Sequence, residues 1–200
     1  MNYPAHGPQA LFLVLSGPSG SGKSTLIQRF LARNPDVVRC LSVTTRAPRG
    51  QERDGVDYFF TTPDEFRRRV DAGAFLEHAT VFGRHSYGTT RTFVEEHLGA
   101  GRGVIKDVDV QGALQIRLSF PQAVQVFVVP PTREEIERRL RGRGTEDEDT
   151  IRRRLDEAEA ELARWSEYDY LIFNDDLDVA VADLEAVVKA ERLKAPGRRR

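Results

Sequence analysis

The sequence holds a single cysteine, Cys40, so the chain cannot form an internal disulfide. Its four histidines are scattered without the spacing that metal ligands show. No apolar run approaches the roughly 18 residues that a membrane span needs, and the amino-terminal MNYPAHGPQA lacks the basic start and cleavage pattern of a signal peptide. These absences predict a cytoplasmic protein with no membrane partner, in which Cys40 is a buried structural thiol.

An excess of charge of one sign is also missing. The 30 Lys and Arg residues almost balance the 31 Asp and Glu residues, which leaves a net charge of -1. Such a chain has no overall field that attracts nucleic acid or an anionic membrane, so any anion must bind at a local site. The 200 residues, 40% of them apolar, are enough for one compact domain with a core.

Short apolar runs alternate with amphipathic patterns along most of the chain. Residues 10–16 form a continuous apolar run that is too short for a helix, which indicates a strand buried on both faces of a parallel sheet. An amphipathic helix follows and is stopped by Asn34 and Pro35. The remaining predicted elements are strands at 37–43, 103–110, 123–129 and 168–173 and a final helix at 178–194. This alternation predicts an α/β fold with a doubly wound parallel sheet.

Two segments interrupt the alternation within the predicted single domain. Residues 44–91 are rich in Arg, Gly, Asp and Tyr and are interpreted as an inserted substrate-binding subdomain. Residues 132–155 begin with a capping box of Thr132 and Glu135 and contain two charged helices around an arginine-rich turn. On its own, this pattern is typical of a solvated helical hairpin whose arginines pair with its glutamates. The core is assigned to 10–43, 92–131 and 156–194, and the tail to 195–200.

Residues 17–24, GPSGSGKS, match the phosphate-binding motif GxxxxGK[ST]. The motif stands between an apolar strand and an amphipathic helix, a context in which backbone N–H groups and a helix N-terminus surround a phosphate. Lys23 is predicted to reach the β- and γ-phosphates of a nucleotide, and Ser24 to bind Mg²⁺. The residues expected to hold the nucleotide are Gly17, Pro18, Ser19, Gly20, Ser21, Gly22, Lys23, Ser24 and Thr25. Many enzyme classes share such a loop, so it does not identify the phosphate acceptor.

A second anion site is indicated by SVTTRAPR, residues 42–49. Arg46 and Arg49 are separated by a rigid Ala-Pro step and offer two guanidinium groups suited to one phosphate dianion. Tyr58 can donate a further hydrogen bond to it. Asp107 and Asp109 stand two residues apart in a predicted strand, so both carboxylates are expected to face the same side.

Together with several further motifs, these features resemble the guanylate kinase family, whose members are P-loop enzymes that transfer the γ-phosphate of ATP to GMP. The motifs follow the family's order over nearly the whole chain: GPSGSGKST, SVTTRAPRGQERDGVDYFF, FLE, YGT, DVDVQGA, RLRGRGTEDEDTIRRRL and YDYLIFNDD. The resemblance implies a P-loop NTPase-type sheet with an inserted nucleoside-monophosphate-binding subdomain and a helical lid. It also implies ATP, GMP and dGMP as substrates and Mg²⁺ as cofactor.

The resemblance assigns roles to the acceptor-binding residues. The GMP phosphate would be held by Arg46, Arg49, Tyr58 and Tyr87, and the guanine read by Ser42, Glu77, Thr89 and Asp107. Guanine presents adjacent N1–H and N2–H donors that one carboxylate can accept as a pair, whereas adenine presents an acceptor at N1. A site with unpaired buried polar groups can reject an analogue about 10⁴-fold, so Glu77 and Asp107 are expected to exclude AMP.

The resemblance also identifies the helical hairpin as a lid over the transferred phosphoryl group. Its cations are Arg139, Arg143 and Arg154, which join Lys23 and Arg46 as the predicted catalytic residues, while Asn174 is placed near the adenine of ATP. No general base is assigned, because the attacking phosphate oxygen is already anionic near neutral pH. Either Asp107 or Asp109 could support Mg²⁺ through water, or both could serve the guanine side. Asp107 is favoured for GMP, which leaves Asp109 to support the metal or to orient an arginine. Lys106 stands where the family usually has an apolar residue and is expected to turn away from Asp107 and to affect packing.

Two other functions fit parts of this sequence. A guanylate-kinase-like interaction module would have a damaged phosphate loop, whereas Gly22, Lys23 and Ser24 are intact. A P-loop kinase for another nucleotide or a phosphorylated metabolite would not need the pair Glu77 and Asp107. Both alternatives are therefore disfavoured, and a phosphate-transfer assay comparing GMP, AMP, CMP and UMP distinguishes them.

Overall fold

The computed structural model describes residues 9–81, 83–141 and 148–195. The strands in these ranges are β1 (Phe12–Ser16), β2 (Val37–Arg39), β3 (Val43–Thr44), β4 (Phe59–Phe60), β5 (Phe75–Val81), β6 (His85–Thr90), β7 (Gly103–Asp107), β8 (Val124–Val129) and β9 (Tyr170–Phe173). The helices are α1 (Lys23–Arg33), α2 (Pro63–Asp71), α3 (Arg91–Gly99), α4 (Val110–Ser119), α5 (Arg133–Arg141), α6 (Glu148–Leu162) and α7 (Leu177–Arg192). Within the described ranges, no helix has the length and apolar character that crossing a membrane requires.

One sheet is fully parallel, with the strand order β2-β7-β1-β8-β9. Its central strand β1 is buried along its whole length, because both faces of the sheet are covered. Leu13 and Leu15 pack in an apolar cluster with residues of α1 and α7. Phe12 and Val14 point to the opposite face and pack with residues of α3 and α4. Helices on both faces confirm the predicted doubly wound α/β fold.

A second, smaller sheet has the strand order β4-β3-β6-β5. Helix α2 covers it through Phe66, whose ring stacks on that of Phe75 with the centroids 4.6 Å apart. Strand β5 also packs against α4, which fixes this sheet against the parallel one. The small sheet runs from β3 to β6 and so falls almost wholly within the segment 44–91. The division of the domain at those residues remains a prediction.

The predicted strand at 37–43 is wrong as a single element. Strand β2 ends at Arg39 in the parallel sheet, whereas β3 begins at Val43 in the small sheet. The chain crosses from one sheet to the other between these strands, and an apolar pattern alone does not mark such a crossing. The strand predictions at 10–16, 123–129 and 168–173 and the helix prediction at 178–194 are confirmed within two residues at each end.

The predicted strand at 103–110 is also too long. Strand β7 ends at Asp107, and α4 begins at Val110. The intervening Asp109 accepts a hydrogen bond from the Gly112 N–H at 2.7 Å and so caps the helix. A side chain that caps a helix cannot also continue the alternation of the strand before it.

The hairpin of α5 and α6 has a small core of its own, formed by Ile136, Ile151, Leu155 and Ala158. The Thr132 hydroxyl accepts a hydrogen bond from the Glu135 N–H at 3.1 Å, which confirms the predicted cap of α5. Other pairs follow the pattern of a solvated surface, namely Arg138 with Glu135 and Arg141 with Glu137 and Glu148. Exposed pairs of this kind contribute little to stability.

Cys40 lies in the crossing between the two sheets. It is 1% exposed, which confirms the predicted buried thiol. Its backbone N–H donates to the Ile105 carbonyl at 2.9 Å. Burial raises the pKa of Cys40 to about 12, so the side chain is a neutral thiol at physiological pH.

Candidate active site

The phosphate-binding loop connects the carboxyl end of β1 to the first residue of α1. Gly17, Gly20 and Gly22 have φ angles of 134°, 87° and 90°, a backbone region that other residues rarely adopt. The Lys23 Nζ donates to the carbonyl oxygens of Gly17 at 2.6 Å and Pro18 at 2.9 Å, so the ammonium lies within the loop. Backbone N–H groups, the amino end of α1 and a cation therefore converge at one point, as an anion site requires.

Gly17→Ala is expected to destabilise the protein, because the added Cβ would lie 2.5 Å from the Val128 carbonyl oxygen. Combined with the positive φ, this contact should lower the free energy of unfolding by about 2 kcal/mol or more, or about 4–8 °C in Tm. The matched control is Gly99→Ala at the end of α3, where a Cβ would meet no atom within 4 Å. Thermal unfolding measures the difference, and an equal Tm for the two variants would contradict the strain assigned to Gly17.

Two side chains from other elements brace the loop. The buried Asn174, which follows β9, donates from Nδ2 to the Ser21 carbonyl at 2.7 Å. This contact makes Asn174 a residue that shapes the loop, and its predicted position near the adenine of ATP stays a prediction. Glu161, at the end of α6, lies close to the Ser19 N–H; burial raises its pKa, and Lys23 opposes the rise. The sequence pattern did not distinguish Glu161 from the other glutamates of its helix.

Asp107 lies at the carboxyl end of β7, beside β1 in the sheet. Its Oδ2 is 3.5 Å from the Ser24 Oγ, and its Oδ1 is 3.3 Å from the Arg39 Nη2. Burial alone would raise the pKa of Asp107, but Lys106 and Arg39 outweigh it and hold the pKa below its usual value. A carboxylate thus stands next to the loop hydroxyl, and oxygen donors of this type are those that Mg²⁺ prefers.

Asp109 does not share the side of Asp107, which corrects the expectation drawn from strand alternation. The Asp109 carboxylate turns onto the first residues of α4. A Cβ at Gly112 would lie 3.4 Å from both the Asp109 Oδ1 and the Glu77 Oε2, so both carboxylates border the amino end of α4. Asp109 therefore lies near Glu77 and also near Glu161 of α6, whereas Asp107 lies beside Ser24.

Glu77 is a buried carboxylate on the small sheet. It pairs with Thr89 in the register of β5 and β6, and the Thr89 Oγ1 donates to the Glu77 Oε1 at 2.6 Å. Only 7% of Glu77 is exposed. This burial raises the pKa of Glu77, against the opposing effects of Thr89 and Lys106. The carboxylate has more lone pairs than the single Thr89 hydroxyl uses, so it can also accept from ligand N–H groups.

Arg46 is the centre of a polar cluster on the loop that follows β3. It is 6% exposed, and it donates from Nη2 to Glu52 at 2.8 Å and from Nε to the Tyr87 hydroxyl at 3.2 Å. Its guanidinium lies 5.2 Å from the centroid of the Tyr58 ring. Glu52 raises the pKa of Arg46, and Arg46 lowers the pKa of Glu52. Arg49 is exposed, and its backbone N–H donates to Glu52 at 2.8 Å.

A cavity of about 360 Å³ lies between these groups, within the usual size range of small-molecule sites. Its lining combines cations, hydroxyl groups and carboxylates, from Arg39, Ser42, Glu52, Tyr58, Tyr87, Lys106 and Asp107. We refer to it as the acceptor cavity. A larger cavity of about 880 Å³ lies at the amino ends of β1, β8 and β9. Because ligands of parallel α/β sheets bind beyond the carboxyl ends of the strands, the smaller cavity is the candidate site.

The hairpin of α5 and α6 packs onto the phosphate-binding loop, where the Ile136 Cγ2 lies 3.4 Å from the position that a Cβ of Gly20 would take. Arg154 on α6 is half-buried. The predicted lid residue Arg143 and the side chain of Arg139 lie outside the described residues. The assignment of these three arginines therefore stays a prediction.

A glycine-rich loop and a cavity lined by cations, both beyond the same edge of a doubly wound parallel sheet, are the arrangement expected of a kinase with a small acceptor. A family model described as guanylate kinase matches residues 9–191. The chain therefore belongs to the guanylate kinase family.

Relatives of this family match the chain over almost its whole length. The chain is 53% identical over 190 residues to the guanylate kinase of Anaeromyxobacter dehalogenans, covering 94% of this chain and 84% of the relative. It is 47% identical over 188 residues to the guanylate kinase of Escherichia coli strain K12, covering 93% and 90%. The crystal structure of guanylate kinase from Anaplasma phagocytophilum matches with a TM-score of 0.75 at 32% identity, covering 94% of this chain and 89% of that one.

Proposed function

We propose that this chain catalyses the Mg²⁺-dependent transfer of the γ-phosphate of ATP to GMP, which yields ADP and GDP. The observation that carries the proposal is the buried carboxylate of Glu77, which bonds to Thr89 on the small sheet and lies close enough to Lys106 of the acceptor cavity to be affected by its charge. A carboxylate there accepts guanine N1–H and N2–H together, whereas adenine would turn an acceptor toward it. The activity belongs to purine nucleotide metabolism in the cytoplasm, and dGMP, which carries the same base, is a second expected acceptor.

Arg46 and Tyr87 supply the first donors for the acceptor phosphate, with Arg49 and Tyr58 beside them. Arg46 is now paired with Glu52 at 2.8 Å. A phosphate dianion competes well for the same group, because a guanidinium binds phosphate through two parallel hydrogen bonds. Since Arg46 is almost fully buried, the contact would be screened by water much less than a surface pair.

The reaction needs no general base, because the attacking oxygen of the acceptor phosphate is anionic. The task of the chain is to hold two anionic phosphates in line and to balance their charge. Lys23 in the loop, Arg46 beside the small sheet and Arg154 in α6 supply this charge from three separate segments. We propose that Arg139 and Arg143 join them when the hairpin closes, which would also exclude the water that hydrolyses ATP.

Ser24 and Asp107 are the residues that would hold Mg²⁺. Their oxygens are 3.5 Å apart, and the pKa of Asp107 is lowered, so the group is ionised. Mg²⁺ takes one or two protein oxygens and completes its shell with water and substrate phosphates, so this donor set fits. The bound ion would neutralise charge on the β- and γ-phosphate oxygens.

Replacing each aspartate by asparagine separates the two roles. For Asp107→Asn, we expect the Mg²⁺ concentration for half-maximal activity to rise about 10-fold or more. For Asp109→Asn, we expect the KM for GMP to rise about 10-fold with the Mg²⁺ requirement unchanged, because asparagine still caps α4. Steady-state assays with Mg²⁺ and GMP titrated separately measure both effects. The reverse pattern would return Asp107 to the guanine side, as the resemblance implied.

A phosphate-transfer assay with MgATP and each of GMP, AMP, CMP and UMP tests the function itself. We expect kcat/KM for GMP to exceed that for AMP by about 10⁴-fold. Equal use of AMP would contradict the proposed acceptor. No turnover with any acceptor by folded protein would instead favour the interaction module.

A further inference from the structure

Lys106 is a buried cation to which the proposed function gives no role. It stands on β7 immediately before Asp107 and is only 6% exposed. Its Nζ donates to the Ser42 Oγ at 2.7 Å. The ammonium lines the acceptor cavity, so Lys106 faces the site in addition to the packing role expected of it. Burying an ammonium is costly unless its charge and donors are matched, which makes its position here informative.

The direction of the side chain follows from strand alternation. Val104 and Lys106 point to the same face of β7, where Val104 is part of an apolar cluster. Lys106 is the last residue of this row, so its apolar stem extends the cluster while its ammonium reaches Ser42. Asp107 points to the other face and lies beside Ser24. Strand β7 thus directs Lys106 to the acceptor cavity, whereas Asp107, which also lines that cavity, reaches Ser24 of the phosphate-binding loop.

The ammonium of Lys106 has donors that no carboxylate of the cavity uses. Its charge favours the ionised form of both Glu77 and Asp107: it opposes the effect of burial on the pKa of Glu77 and helps to lower the pKa of Asp107. Lys106 therefore lies near both carboxylates. Among the residues that the structure describes, however, its hydrogen-bond partner is the Ser42 hydroxyl, and it forms no ion pair with either carboxylate. An ammonium carries three N–H groups, so further donors remain for an acceptor atom of a ligand in the cavity.

We propose that Lys106 determines acceptor specificity by acting through Ser42. Because an N–H of Lys106 donates to the Ser42 oxygen, the Ser42 hydroxyl proton is directed to another acceptor, and the ammonium adds positive potential at that point. Guanine presents two acceptors, O6 and N7, on the edge away from its 2-amino group, whereas adenine presents a 6-amino donor there. This inference rests on the proposed function. Under it, each edge of guanine faces complementary groups: the N1–H and 2-amino edge faces Glu77 and Asp109, and the O6 and N7 edge faces Ser42 and Lys106.

The test compares acceptors that differ at position 6 of the purine. GMP and IMP carry oxygen there, whereas 6-thio-GMP carries sulfur, a weaker acceptor, and keeps N1–H and the 2-amino group. Lys106→Met retains the length of the side chain and removes its charge and donors. With GMP and IMP, we expect this variant to lower kcat/KM about 10- to 100-fold, mainly through KM. With 6-thio-GMP, we expect a loss of about threefold or less.

Further variants separate a specificity role from a structural one. If Lys106 acts through Ser42, the double variant of Lys106→Met and Ser42→Ala should lose little more with GMP than Ser42→Ala alone. Lys189→Met, on the exposed side of α7, is the matched control and should leave all three acceptors unchanged. We expect the Tm of Lys106→Met to stay within about 4 °C of wild type, because relief of the buried ammonium is offset by the loss of its attraction to Glu77 and Asp107. Should it fail to fold, Lys106→Gln takes its place in the same comparison.

An equal fractional loss of kcat/KM for GMP, IMP and 6-thio-GMP would overturn the inference, since a purely structural role would produce that result. The proposed function would stand in that case, because wild-type protein would still phosphorylate GMP. If wild-type protein failed to phosphorylate GMP, the proposed function itself would be overturned, and the two failures are therefore distinguishable.

Discussion

Lys23→Met is expected to lower kcat for GMP phosphorylation about 10³-fold, a loss of about 4 kcal/mol of transition-state stabilisation. The Lys23 ammonium lies inside the phosphate-binding loop, 2.6 Å from the Gly17 carbonyl oxygen. As the bond between the β- and γ-phosphates breaks, charge redistributes over the oxygens that this loop surrounds. Methionine has a similar length but no charge, so we expect kcat to fall more than KM rises. Steady-state kinetics with MgATP and GMP measure both constants.

The control for this substitution is again Lys189→Met, which removes an exposed lysine from α7 and should leave kcat unchanged. Lys23→Met should melt within about 4 °C of wild type, because the glycines and α1 that build the loop are retained. A kcat within about 10-fold of wild type in the folded variant would show that Lys23 does not act on the transferred phosphate.

Glu77→Gln is expected to lower kcat/KM for GMP about 10³-fold while changing that for AMP less than about 10-fold. A glutamine has one acceptor oxygen and a donor NH₂ group, so it cannot accept both guanine N–H groups and turns a donor toward one of them. The hydrogen bond from Thr89 can still form, so the small sheet should remain intact. The matched control is Glu96→Gln on the exposed side of α3. Equal losses for GMP and AMP would contradict a base-reading role for Glu77.

The same variant should change how stability depends on pH. Burial raises the pKa of Glu77 above its ordinary value of 4.5, so the folded protein binds this proton more tightly than the unfolded chain does. The contribution of Glu77 to the free energy of unfolding is therefore greatest at low pH and falls as pH rises through the folded pKa. Glutamine does not titrate, so Glu77→Gln should gain stability relative to wild type between about pH 4 and pH 8. Urea unfolding at both pH values measures this gain.

The phosphate-binding loop could be predicted from the sequence because its backbone geometry restricts the residues that fit. Gly17 needs both a positive φ and room beside the Val128 carbonyl, so the motif and its conformation are tightly linked. The parallel sheet could be predicted for a similar reason, since strands buried on both faces form continuous apolar runs. Glu77 and Thr89, expected together from the resemblance, do meet, at 2.6 Å.

Asp107 and Asp109 show where local patterns fail. Their separation by two residues implies a shared face only if the strand continues through both, but the Asp109 side chain caps α4 and ends that alternation. Aspartate is compatible with both the end of a strand and the cap of a helix. Contacts with residues distant in the sequence therefore decide whether Asp109 continues β7 or caps α4.

Lys106 and Glu52 depend on contacts between distant or irregular parts of the chain. The hydrogen bond between Lys106 and Ser42 joins residues 64 positions apart, across the gap between two sheets. Glu52 binds Arg46 within an irregular loop that no periodic pattern describes. Neither contact could be predicted from the sequence, because the first follows from how the small sheet lies against the parallel one and the second from the path of the loop after β3.

The single thiol, Cys40, lies at the crossing between the two sheets, so its chemical reactivity reports when the sheets separate. Alkylating reagents attack a thiolate, and Cys40, with a pKa of about 12 and 1% exposure, offers almost none while the sheets are closed. The rate at which iodoacetamide labels Cys40 therefore depends on how often the small sheet separates from the parallel one. Nucleotides that hold the sheets together should slow the labelling, so hinge motion can be followed in solution without attaching a dye.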